Sequence, residues 1–342
     1  MKFTKYTSIE NAYRQKAVFN IQQYFPNETF VVQEKIHGAN FAIYVDKDGV
    51  KYAKRSGFIQ NLQSFYRADI IAEKYEEKVK KLYNQLLEDY KIVSEQQGVP
   101  FFEPTLSIHG EIYGGSYPHK DVEAVKGIKS VQKGVFYSPD IEFVAFDMKV
   151  DGEYVDIETM NSTLDRFEIP RLNILKEGTL QECLEYPNEF NSNLHGLPEL
   201  ENNTCEGVVI KSVSPLYDPR GNRAILKNKN AKWSEKSKKV KTNTIKEIDP
   251  KIREIAETAI SYVTENRLRN VISKVGPITE VKTAFGKLMK PMNLDVIEEF
   301  TKENPEFETI EKADQKLVTK IINEQIGTLI RNNLFNIVDG NF

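Results

Sequence analysis

Residues 30–33 form a short apolar run, and Phe41, Ile43 and Val45 then alternate with smaller or polar neighbours. Asp46-Lys47-Asp48-Gly49 supplies turn chemistry, and residues 50–54 read as the returning strand, so the pattern predicts a β-hairpin. Ile70, Ile71, Tyr75, Val79, Leu82, Leu86 and Tyr90 follow at three- and four-residue steps, the stripe of an amphipathic helix lying on that hairpin's sheet. Residues 141–150 read as a further strand closed by Asp151-Gly152. Residues 207–211 and 224–227 read as a strand pair around a loop containing Pro215, Pro219 and Gly221. After that the period changes. Ile252, Ile255, Ala256, Ala259, Ile260 and Val263, and later Leu317, Ile321, Ile322, Ile326, Leu329 and Ile330, keep a helical rhythm. The expectation is an α+β protein with a sheet-rich domain over residues 1–240 and an all-helical domain over 241–342.

A chain of 342 residues has room for two cores, and 28% charged with 11% aromatic residues fits a folded enzyme better than a disordered chain. Nothing approaches 18 consecutive apolar residues, and the start, Met1-Lys2-Phe3-Thr4-Lys5-Tyr6, lacks an apolar signal block. We therefore expect no membrane span, no secretion, and a cytoplasmic or other internal reducing compartment. Cys183 and Cys205 are the two cysteines and carry no metal spacing, so both are read as free thiols. The net charge of −3 hides an asymmetry: between Lys227 and Lys241 seven lysines face one acid, Glu235, a local balance of +6. Such a run can displace counterions from a phosphate backbone, and it equally fits a solvated linker.

Candidate chemistry begins at Glu34-Lys35-Ile36-His37-Gly38-Ala39-Asn40, which lies between two predicted strands. A lysine at a sheet mouth becomes a nucleophile when burial or nearby cations favour its neutral amine, and Gly38 lets the backbone approach a phosphate or a ring. Lys-x-x-Gly alone decides nothing, because this composition produces it by chance and it recurs at Lys54–Gly57. Order and spacing carry more weight. Downstream come Lys54-Arg55-Ser56-Gly57, then His109-Gly110-Glu111-Ile112-Tyr113-Gly114-Gly115, then Phe143-Val144-Ala145-Phe146-Asp147, then Glu206-Gly207-Val208-Val209-Ile210-Lys211, and finally Leu226-Lys227-Asn228-Lys229. Glu111 can accept from ribose hydroxyls, and Phe146 can stack on a purine. Arg55, Lys227 and Lys229 can neutralise phosphate oxygens, and Glu206 can hold a hydrated Mg²⁺. Taken singly, Phe146 is an ordinary core aromatic and the charged groups are ordinary surface residues.

The ordered set resembles the six motifs of covalent lysyl-NMP transferases, the superfamily of DNA ligases, RNA ligases and capping enzymes. Closer features resemble the phage-type RNA ligase 2 family: the opening Phe3-x-Lys5-Tyr6-x-Ser8, the string EKIHGAN followed by KRSG, VQKGVFY before VAFDM, and YVTENRLRNVISKVG. The resemblance implies a nucleotidyltransferase (ATP-grasp-like) domain of antiparallel sheets around a nucleotide cleft, followed by a helical domain. It implies Lys35 as the AMP acceptor, with Glu34, Ile36 and Asn40 around the nucleotide and the 3′-OH end. Arg55 falls on phosphates or the nick, Glu111 on the ribose and Phe146 on adenine. Glu206, Lys211, Lys227 and Lys229 fall in the metal and phosphate shell, and Arg267 touches RNA or phosphate. ATP as AMP donor, Mg²⁺ or Mn²⁺, and an RNA partner with 5′-phosphate and 3′-OH ends, as nicks in duplex, follow for a monomeric enzyme. Ala39, where the family has threonine, and an insertion over residues 116–129 depart from the pattern.

Two other classes compete. DNA ligases and capping enzymes usually append an OB-fold barrel, whereas here the C-terminal region has helical periodicity. A silent RNA-binding descendant would have no need of the full set of Lys35, Glu111, Glu206, Lys227 and Lys229.

Overall fold

Two sheets and eight α-helices account for the regular structure in a computed structural model that describes residues 1–237 and 249–342. The expected boundary at residue 240 and Lys238, Lys239 and Lys241 of the lysine run lie outside the described residues. The chain divides into two compact units, Met1–Asn230 and Ala231–Phe342.

The first unit opens with β1 (Glu10–Asn11), α1 (Gln15–Tyr24) and β2 (Phe30–Glu34). The predicted hairpin is β3 (Ala39–Asp46) with β4 (Gly49–Lys54), in the register Phe41 opposite Lys54 and Val45 opposite Val50. A short β5 (Gly57–Phe58), the long α2 (Ala68–Gln97), β6 (Leu106–Gly114), β7 (Ile141–Val150), β8 (Glu153–Tyr154), α3 (Ile157–Arg166), β9 (Lys176–Gly178) and α4 (Leu180–Leu184) follow, before β10 (Gly207–Ser212) and β11 (Ile225–Lys229). One sheet has the order β1-β11-β10-β2-β9 and the other β5-β4-β3-β6-β7-β8. All pairings are antiparallel except β1 with β11, which run parallel and bring Asn11 opposite Lys227.

Strand alternation decides where each sheet buries its side chains. Phe30, Val32, Val208 and Ile210 pack with Ile21 of α1 and with Leu180 and Cys183 of α4, which cover one face of the first sheet. Val31, on the opposite face, joins the larger core of Phe41, Ile43, Ile108, Phe143 and Ala145. The predicted stripe of α2 lies in that same core, with Ile71, Tyr75, Val79 and Leu82 buried; each such aliphatic side chain stabilises the fold by roughly 1.5–3 kcal/mol. Gly98, in the left-handed region at φ 64°, ends the helix. Both cysteines are buried free thiols.

The second unit contains α5 (Pro250–Ile260), α6 (Glu265–Val275), α7 (Val281–Glu303) and α8 (Lys312–Val338). The residues that carry its helical rhythm, among them Ile252, Ala256, Ile322, Ile326 and Ile330, form its core with Leu288, Met292, Val296 and Phe300 of α7. Among the described residues no helix is long and apolar enough to cross a membrane.

Candidate active site

Lys35 follows the last residue of β2 and is fixed by a backbone hydrogen bond of 2.9 Å from its N–H to the Gly207 carbonyl of β10. Gly207 sits at φ 140°, and a Cβ there would meet the Asn228 carbonyl of β11 at 2.2 Å, so this close strand junction requires glycine. The junction brings Glu206 to Lys35. The Lys35 Nζ donates to Glu206 Oε2 at 2.7 Å, and Lys229 pairs with the other carboxylate oxygen at 2.6 Å. His37 Nδ1 lies 3.2 Å from Glu206 Oε2, and its Nε2 lies 3.1 Å from the Lys133 carbonyl. Burial alone would raise the Glu206 carboxyl, but Lys229 and Lys35 hold it well below the usual carboxylate range. Burial likewise keeps His37 below its ordinary value, against the pull of Glu206. A fixed anion flanked by two ammonium groups is therefore the centre of the site.

The strand after this turn supplies the other wall. Gly38 passes so close to β6 that a Cβ would meet the Ile112 carbonyl at 2.3 Å and the Glu111 Cγ at 2.8 Å. Here the glycine of Lys-x-x-Gly is required by backbone proximity. Asn40 stands opposite Glu111 in the β3–β6 register, and Ile36 is buried beside the turn. Burial pushes the Glu111 carboxyl up to about 8, with Lys35 opposing. Lys227 lies two residues from Lys229 on β11, so alternation puts both lysines on one face.

A second constellation ties the two sheets together. Asp147 of β7 receives Arg223 at 2.7 and 2.9 Å, Lys211 at 3.0 Å and the Tyr6 hydroxyl, all four residues being buried. Arg223 and Lys211 keep the Asp147 carboxylate ionised, far below its ordinary value, although burial opposes this. Lys211 therefore departs from the expected phosphate shell: it is a buried inter-sheet cation whose remaining bond goes to the Phe146 carbonyl. Tyr6 links this clamp to two predicted nucleotide residues. Its ring meets Phe146 edge-on at 5.2 Å, and its carbonyl accepts from Arg55 at 2.8 Å.

Arg267 also departs from expectation. It is 2% exposed, its guanidinium donates to Asp295 at 2.6 Å and to the Tyr262 carbonyl at 2.9 Å, and Glu235 lies 3.6 Å away. Its charge is neutralised inside the helical unit, so it offers no exposed grip on RNA. His37, and the partners Asp147 and Arg223, carry no role in the motif reading. The neighbouring Lys35 could have flagged the first, whereas no local pattern marks the second pair.

The sequence of residues 28–229, well over half of the chain, matches the family described as RNA ligase. The chain belongs to the RNA ligase family. It is an ATP-dependent RNA ligase of the phage RNA ligase 2 type, and residues 245–328 match the family described as T4 RNA ligase 2 C-terminal. Similar curated proteins include the mitochondrial RNA-editing ligase 2 of Trypanosoma brucei brucei, 26% identical over 361 residues that cover 88% of this chain and 83% of that protein. The mitochondrial RNA-editing ligase 1 of the same organism is 26% identical over 340 residues, covering 81% of this chain and 71% of that protein. Among solved structures, a Naegleria gruberi RNA ligase with PPi is similar at 16% identity and a TM-score of 0.40, over 68% of this chain and 57% of that one.

One carboxyl of this ligase gives a pH test. Glu34 is 7% exposed, its Oε1 has no hydrogen-bond partner among the described residues, and burial pushes it up to about 7, with Ser192 opposing. The unfolded chain releases this proton near pH ~4.3, so between there and about 7 the folded state binds more protons and stability falls as pH rises. Glu34→Gln should remove on the order of 1–3 kcal/mol of that decline. Urea midpoints of both proteins at pH 5 and pH 8 measure it, and an equal decline in the two would rule the assignment out.

Proposed function

We propose that this RNA ligase seals 5′-phosphate and 3′-OH ends at nicks in duplex RNA through lysyl-AMP and RNA-adenylate intermediates. The observation that carries the reading is the Lys35–Glu206–Lys229 cluster, a fixed anion between two amines at the end of a strand. In the first step the Lys35 amine, once it has given up a proton, attacks the α-phosphorus of ATP. The N–P bond forms as the bond to pyrophosphate breaks. The RNA 5′-phosphate next displaces Lys35 and takes the AMP, and the neighbouring 3′-OH then displaces AMP as the phosphodiester forms. Lys229 and Lys227 supply positive charge where the phosphate oxygens gain negative charge. Glu111 and Asn40 hold the nucleoside, Phe146 stacks on adenine, and Arg55, anchored by Tyr6, meets phosphate. Glu34 and Ile36 shape the pocket from the strand that carries Lys35.

Among the described residues no group of three or more His, Cys, Asp or Glu side chains can cage a metal. Glu206, ionised and buried, is the residue that would hold Mg²⁺ or Mn²⁺ as a single carboxylate ligand. Bound there, the ion adds charge stabilisation to the phosphates.

Residues 1–240 act as the adenylyltransferase domain in this reading and 241–342 as a helical RNA-gripping domain. The enzyme works as a monomer in a reducing compartment. A chain cut near Lys241 should still form the AMP adduct and seal pre-adenylylated RNA, but fail to move AMP onto an ordinary 5′-phosphate. Full-length sealing rates from the truncated chain would remove the helical domain from catalysis. Sealing rates on nicked duplexes with RNA or DNA on each side test the substrate, and equal or faster joining of unpaired ends would overturn the preference for nicks.

A further inference from the structure

The helical unit carries a groove of about 930 Å³ lined by α7 and α8. Phe285, Ile297 and Phe307 give it apolar lining, while Lys312, Lys316 and Lys320 lie along α8 at four-residue steps. That spacing places the three lysines in a row with about 6 Å between successive positions. All three are exposed. Arg331 adds a fourth cation, with its guanidinium 5.6 Å from the centre of the Phe285 ring. Glu308 and Glu324 also line the groove.

Three other cations of this unit are neutralised locally: Lys236 by Glu303 at 2.7 Å, Arg267 by Asp295 at 2.6 Å, Lys302 by Glu298 at 2.9 Å. Among the described residues no ion pair engages Lys312, Lys316 or Lys320. Like charges four residues apart repel, and Lys312 and Lys316 stand at the helix end whose dipole disfavours cations. The row therefore weakens the isolated helix and becomes favourable when a linear polyanion lies along it.

We propose that this groove is a second RNA site, in which the lysine row follows the sugar–phosphate backbone and ribose or base faces lie against Phe285. The inference rests on the ligase reading, which makes RNA the substrate. It also fills a specific gap, because Arg267 is buried. An apolar aromatic floor beside an evenly spaced cationic rail is the combination that tracks a nucleic-acid strand without reading its sequence. An acidic polypeptide is the competing occupant.

The test compares full-length protein with the triple variant Lys312→Gln, Lys316→Gln, Lys320→Gln. Affinity for a nicked duplex RNA is measured across a series of salt concentrations, alongside AMP-adduct formation from ATP. The expected result is unchanged adduct formation, RNA affinity lower by about tenfold or more at low salt, and a salt slope shallower by about two to three, near 0.9 for each phosphate left without its lysine. An unchanged affinity and slope overturn the proposal. If under that outcome poly-glutamate binds the wild type and not the variant, the groove belongs to an acidic polypeptide. Failure of the wild type to seal RNA would instead sink the ligase reading, so the two failures are separable. Single variants guard against misfolding: each should lower the slope by about 0.7 to 0.9.

Discussion

Lys35→Ala protein incubated with radiolabelled ATP should carry no covalent AMP, and sealing of RNA with an ordinary 5′-phosphate should fall by a factor on the order of 10³ or more. The substitution removes the amine that forms the N–P bond, and no other cation can take its place without moving. Lys229 is already held on the far oxygen of Glu206 at 2.6 Å. The fold should survive, because the Lys35 side chain is 21% exposed and Glu206 keeps Lys229 and His37. Joining of pre-adenylylated RNA should persist, since that step uses the 3′-OH as nucleophile and leaves the amine idle. A fully labelled Lys35→Ala protein would eliminate Lys35, and Lys54 would be the next nucleophile to examine.

The largest stability effect is expected at Asp147. Asp147→Ala leaves Lys211 and Arg223, each with a side chain 3% or less exposed, buried side by side without their shared anion. Removing one member of a buried ion pair costs about 3–5 kcal/mol, because the stranded charge keeps its desolvation penalty. Here two like charges are stranded, which places the loss at the upper end of that range. Lys211→Met should cost less, since Asp147 retains two hydrogen bonds from Arg223. Urea unfolding of the three proteins measures the difference. A loss below about 1 kcal/mol for Asp147→Ala would mean that the clamp is relaxed by water or by movement of the sheets.

What the sequence made legible follows from the range of each interaction. The hairpin of β3 and β4 and the stripe of α2 rest on periods of two and three to four residues, and both elements formed where the alternation places them. The Lys35 turn was legible because the ordered motifs bring Glu206 and Lys229 with it, whereas the close approaches of Gly38 to β6 and of Gly207 to β11 appear only in the fold. Four features had no such local mark. β1 is two residues long and gains its identity from β11, more than 200 positions later. Arg223 stands in a loop, and only folding reveals that Asp147 is its partner. Lys211 and Arg267 look like any other cation along the chain; their acids, Asp147 and Asp295, lie 64 and 28 positions away. A motif can say that a charge matters, while its burial depends on which strands and helices close over it.

The pairing of β2 with β10 sets a timetable for the enzyme's own synthesis. β2 ends at Glu34, yet β10 starts at Gly207 and Lys229 closes β11. At about 5–20 residues per second, a nascent chain waits roughly ten to forty seconds between making Lys35 and completing Glu206 and Lys229, which surround it. During that interval β2 has an open hydrogen-bonding edge flanked by the apolar Phe30, Val31 and Val32, a stretch prone to pairing with other chains. A chain terminated ahead of Glu206 therefore lacks both Glu206 and Lys229 beside Lys35.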